Sequence, residues 1–117
     1  MTNYTKKEWN AHTVFQEHWS DNDGNPEGGT ASGRGWVISW QRGPLGKIGT
    51  PERREPNGAF VEDIIQAVIG RLEFYQASRF ACQANADALT ALALAAEVLD
   101  KRTQEREARS VEGTHAV

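Results

Sequence analysis

The sequence predicts a mostly α protein with a small β element: an antiparallel two-helix hairpin preceded by a short β element, assembling as a homo-oligomeric bundle. Three observations carry that expectation. Val61, Ile64, Ile65, Val68, Leu72 and Tyr75 recur at three- and four-residue steps, the period of an amphipathic helix. Trp36–Gln41, "WVISWQ", is the one segment with the aromatic and β-branched make-up of a strand. The second helical segment is apolar around more of its circumference than one partner helix can cover.

The elements follow in chain order. Residues 1–34 read as a polar N-terminal arm and linker, and residues 35–117 as the β element plus helical hairpin domain. "EWNAHTVFQEHW" holds Trp9, Val14, Phe15 and Trp19, and it reads equally as a short helix, a strand or a loose arm. "SDNDGNPEGGTASGRG" has the Gly, Asn, Asp and Ser content of a loop. After the Trp36–Gln41 strand, Gly43-Pro44 and Gly46 turn the chain, and "TPERREPNG" is a charged loop.

The first helix is expected over "AFVEDIIQAVIGRLEFYQ", capped by Asn57 or Gly58, with Glu62 and Asp63 well placed in its first turn. The second is expected from about Ala81 to Arg109. Leu89, Leu92, Ala96 and Leu99 make one face, Ala88, Ala91, Ala95 and Val98 an adjacent one, and Leu94 lies off both. A two-helix hairpin of roughly 60 residues buries too little surface to stand alone, and the alanine face admits a close neighbour. Both arguments favour a homo-oligomer, the alternative being that the N-terminal arm and the strand cover the extra face within one subunit.

Composition narrows the functional classes. The chain has 117 residues, which suits one domain, and a net charge of −3. An acidic balance disfavours DNA or RNA binding through bulk charge, whereas a small anionic ligand held by a few arginines is compatible. Cys82 is the single cysteine, so no intrachain disulfide forms. No stretch approaches the roughly 20 apolar residues that span a bilayer. The expectation is a cytoplasmic protein without membrane contact.

Several residues stand out as ligand contacts. Arg102, Arg106 and Arg109 line one helix face, and guanidinium forks suit phosphate oxygens. The bland alternative is a solvated helix end, with the arginines favoured by the macrodipole and paired with Glu105, Glu107 and Glu112. Thr114 and His115, after Gly113, offer a hydroxyl and an imidazole, or simply a frayed end. Arg71 lies on the first helix as a surface or interface arginine. Gln41 and Arg42 sit in the loop after the strand, and Asn57 stands at a helix start where free amides can meet an anion. Trp36 and Trp40 share one strand face and could flank a base. His12, His18 and His115 lack metal-ligand spacing, Cys82 reads as a buried small hydrophobe, and no nucleophile setting is visible. No metal, cofactor or catalysis is expected.

"NGAFVEDIIQAVIGRLEFYQ" and "FACQANADALTALALAAEVLDKRTQEREARSVEGTH", preceded by "WQRGPLG", resemble phage-encoded helical-hairpin proteins related to the anti-CBASS and anti-Thoeris sponges. The resemblance covers Asn57 to His115, and Trp36 to Gly46 more loosely. It implies binding of a cyclic oligonucleotide or cyclic ADP-ribose isomer without cleavage, in pockets between subunits of a homo-oligomer, often a hexamer. It also directs attention to Arg102, Thr103, Arg106, Gly113, Thr114 and His115. Two departures stand out: Ser110 replaces a glycine expected before Val111, and an arginine or lysine expected close to Gln83 is absent from residues 80–87. The expected function is therefore a sponge that sequesters a host immune signalling nucleotide. The rivals are a phage structural or assembly protein, and a regulator that binds another protein through the N-terminal arm.

Overall fold

The structure, a computed structural model, describes residues 1–117. Four strands precede two helices: β1 (Thr2–Trp9), β2 (His12–Ser20), β3 (Pro26–Gly33), β4 (Trp36–Trp40), α1 (Val61–Gln76) and α2 (Gln83–Ala108). The strands form one antiparallel meander in the order β1-β2-β3-β4. This corrects the expected fold class. The protein is 36% helical and 26% strand, a β-then-α fold rather than a helical-hairpin bundle with a short β element.

The correction lies mostly in residues 1–34, which carry three of the four strands. Their turns follow local chemistry. Asn10 takes a positive φ of 51° in the two-residue turn joining β1 to β2. Between β2 and β3, Asp21 Oδ1 accepts the backbone N–H groups of Asp23 and Asn25, both at 2.9 Å, and closes the turn. The loop-like composition of "SDNDGNPEGG" is thus divided: its first half is a turn, and Pro26 opens a strand, a position that needs no ladder donor. Gly29 is needed within that strand. It holds φ at +141°, and a Cβ there would stand 2.0 Å from the Glu17 carbonyl oxygen across the ladder.

The chain divides into two compact units, Met1–Ala59 with Val111–Val117, and Phe60–Ser110. In the sheet unit the core is small: Ala31 is 4% exposed and Leu45 9%. Trp36, Ile38 and Trp40 share one face, as their spacing predicts, and the Trp36 indole lies directly over Gly33. The unit is completed by backbone hydrogen bonds from loop to sheet. Gln41 N–H donates to the Ala59 carbonyl at 2.9 Å and Ala59 N–H to that of Ser39 at 2.8 Å. The C-terminal tail returns to the same unit, where Gly46 N–H donates to the Gly113 carbonyl at 2.9 Å.

In the helical unit, α1 starts at Phe60 rather than at Asn57 or Gly58, and the Asp63 carboxylate accepts the Phe60 N–H at 2.8 Å. Ile64, Ile65, Ile69 and Leu72 of α1 are half-buried, as are Ala88, Leu89, Leu92, Ala95, Ala96 and Leu99 of α2. No apolar side chain of either helix is fully buried, and Leu94 is 62% exposed. Cys82 is not a buried hydrophobe: it is exposed and stands at the start of α2.

Candidate functional site

The end of α1 and the turn after it carry two exposed phenylalanine rings and a half-buried tyrosine beside two arginines. Arg71, Phe74 and Tyr75 occupy positions i, i+3 and i+4, which places them side by side on the helix surface. The Arg71 guanidinium lies 5.2 Å from the Phe74 ring centroid and 5.1 Å from that of Tyr75, and its Nε donates to the Tyr75 hydroxyl at 3.2 Å. Phe74 is 62% exposed. In the turn, the Arg79 guanidinium stands 4.8 Å from the Phe80 ring, which is 61% exposed.

Side chains lock this turn. Gln76 accepts the Cys82 N–H at 2.9 Å and donates to the Cys82 carbonyl at 3.1 Å. Ser78 Oγ donates to the Tyr75 carbonyl at 2.6 Å and accepts the Phe80 N–H at 3.1 Å. Asn85 Nδ2 donates to the Phe80 carbonyl at 3.3 Å. The result is a rigid mount for two ring faces and two guanidinium groups in water. That combination stacks planar bases and neutralises phosphate.

The residues singled out from sequence fall into both units. Arg71 is at the centre of the cluster just described. Arg102, Arg106 and Arg109 do not form a uniform stripe. Arg102 is exposed, but Arg106 is only 5% exposed, and Arg109 pairs with Glu105 one turn earlier on the helix. Thr103 lies elsewhere on α2, lining a groove of about 690 Å³ with Glu62, Glu97 and Asp100. That acidic lining does not suit an anion.

The other chosen residues belong to the sheet unit. Gln41, Arg42 and Asn57 form a hydrogen-bonded lattice that spends most of the amide groups on the backbone. Asn57 Oδ1 accepts the Arg42 N–H and Gln41 Oε1 accepts the Asn57 N–H, both at 2.8 Å. The Arg42 guanidinium remains exposed, 5.5 Å from the centroid of Trp19. Thr114 closes a tail turn by donating to the Val111 carbonyl. His115 is exposed and its charge reaches Asp21, whose carboxyl is held below its ordinary range. The main cause of that depression is the Asn25 N–H, with lesser help from the Asn25 side chain, the Asp23 N–H and His115.

Sequence reasoning missed Phe74, Arg79 and Phe80 as surface groups and read Tyr75 as part of the core stripe. A signal was present. Phe74 falls off the apolar stripe of α1, three residues after an arginine, and a large aromatic on a polar face marks a contact surface.

No protein-family model matches the chain. It is 46% identical over 79 residues, 68% of its own length, to Thoeris anti-defense 1 of Bacillus phage SBSphiJ7. The chain spans about half the length of that curated relative, since the matched residues are 51% of it. Over those residues this chain is a relative of a phage anti-Thoeris protein, the kinship that its helical segments resemble.

Proposed function

We propose that this protein counters Thoeris defence as a non-catalytic sponge, capturing a host signalling nucleotide in the cytoplasm of the infected cell. The relative's name supports the anti-Thoeris reading. The observation that carries capture is the Arg71–Phe74–Tyr75 cluster, where a guanidinium is set against one exposed and one half-buried ring at a helix end. A cyclic ADP-ribose isomer or cyclic oligonucleotide offers the matching chemistry: a purine face to stack and phosphate oxygens to bind. Arg79 and Phe80 extend the same chemistry in the adjoining turn. These groups stack and neutralise; they do not form a nucleophile–base pair.

We also propose self-association of the chain. The helical unit leaves Leu94 and Val98 of α2 exposed and fully buries no apolar residue, which supports a second copy on that face. Light scattering of the purified chain checks this, with a mass above 13.0 kDa expected.

The functional test is a titration with cyclic ADP-ribose isomers and cyclic di- and trinucleotides, followed by heat release and chromatography. A sponge returns the bound nucleotide chemically unchanged. A cleaved product would mean an enzyme. Absence of binding across the panel, with a stable complex to a virion protein instead, would favour an assembly role.

A further inference from the structure

The sheet unit holds a second constellation that the nucleotide reading does not use. An open pocket of about 260 Å³ is lined by Trp19, Glu27 and Arg42 with Ser20, Met1 and Thr2, the Met1 ammonium donating to the Ser20 carbonyl at 3.0 Å. Arg42 and Glu27 carry opposite charges on this one small pocket, yet no salt bridge joins them. The geometry around Arg42 is fixed. Its N–H donates to Asn57 Oδ1 at 2.8 Å, and its carbonyl accepts Asn57 Nδ2 and Gln41 Nε2, each at 3.3 Å. Gly28 lets this loop lie flat on the sheet: a Cβ there would sit 3.2 Å from Arg42 Cα and 3.3 Å from the Trp19 ring. The guanidinium stands against the Trp19 face at 5.5 Å, a stacked arrangement that keeps its N–H edge available to a planar anion. The indole N–H is already spent on Glu17, at 3.3 Å, so Trp19 offers the pocket an apolar wall.

We infer that this pocket binds the head group of a free α-amino acid, with the carboxylate on Arg42, the ammonium on Glu27 and the side chain against Trp19. A guanidinium stacked on Trp19 and a carboxylate lining the same small space, with no salt bridge between them, match a ligand that brings both charges in the reverse order. A plain anion would meet Glu27 repulsion, and a plain cation would meet Arg42 repulsion. A zwitterion satisfies both groups at once, and the fixed backbone of Arg42 keeps the ordering cost low. The site lies wholly within the sheet unit and stands or falls independently of the helical cluster.

The test is a titration of the full chain, followed by the NMR signals of the Trp19 indole N–H and the Arg42 amide. The probes are L-alanine and L-phenylalanine, with 3-phenylpropionate and phenethylamine as the analogues lacking one charge each. Saturable shifts with the amino acids are expected, stronger for phenylalanine and at least tenfold weaker for either analogue. Arg42→Gln and Glu27→Gln, checked for native circular dichroism, are each expected to weaken phenylalanine binding at least tenfold. Equal response to phenylalanine and its analogues would overturn the inference. So would binding unchanged in both folded variants, or no saturable shift with either amino acid at millimolar concentration.

Discussion

The sheet unit and the helical unit are held together in opposite ways. The sheet unit owes its order to directional contacts: ladder hydrogen bonds, the Gln41–Asn57 lattice, and glycines that let backbones touch. Its apolar core is little more than Ala31 and Leu45. The helical unit has ordinary amphipathic helices but leaves large apolar and aromatic groups in water. The first unit is therefore intolerant of small steric changes at its glycines. The second is expected to tolerate substitution on its exposed faces with little loss of stability.

The largest effect that would break this contrast is Gly29→Ala. The new methyl group would collide with the Glu17 carbonyl and strain a positive φ, so the β2–β3 ladder must open. A loss of about 3 kcal/mol in denaturant unfolding is expected. Little change would mean that the sheet is not held by close backbone approach.

Phe74→Ala works in the other direction. Loss of one stacking face is expected to weaken nucleotide binding by about 1–3 kcal/mol. Thermal stability of the chain should stay within about 0.5 kcal/mol, as for other exposed positions. A large fall in stability would show that Phe74 is packed rather than presented.

Asn57→Ala sharpens the description of the sheet unit. It removes the side-chain bonds to Arg42 N–H and its carbonyl. The expected cost is about 1 kcal/mol, with faster amide exchange at Arg42 than at β3. Uniform change across the sheet would contradict a local role for the lattice.

The smallest effect concerns pH. The folded state holds the Asp21 carboxyl below its ordinary range, first through the Asn25 N–H. Folding therefore favours the ionised form. That contribution is fully present above the unfolded carboxylate range and is lost as pH falls through the lower, folded value. Acid unfolding of Asp21→Asn should lack this part of the pH dependence, because the amide does not titrate. A variant with the same acid profile as the parent would remove Asp21 from the account.

The two units also differed in how far their sequences could be read. The helices announced themselves through Ile64, Ile65, Leu72, Leu89, Leu92 and Leu99, and their bounds came within a few residues. The strands did not. β1 is exposed at every position, so "TNYTKKEW" carries no clean apolar alternation. β3, "PEGGTASG", has the composition of a loop because its glycines serve cross-strand contact, which single-sequence patterns do not reveal. Only Trp36–Trp40 kept a recognisable strand make-up, and it appeared as an isolated element. Among the residues singled out, the spacing of Arg102, Arg106 and Arg109 did not disclose that Arg106 is buried and Arg109 paired. Arg71 was singled out without its aromatic neighbours, because Tyr75 also fits the core stripe.

The most direct test of the central claim is calorimetry with the cyclic ADP-ribose isomers on the parent chain, Arg71→Ala and Arg102→Ala. If the aromatic end of α1 captures the nucleotide, the parent binds, Arg71→Ala loses at least tenfold in affinity, and Arg102→Ala loses less. Parent-like affinity in a folded Arg71→Ala variant would contradict the assignment and move the site away from this cluster.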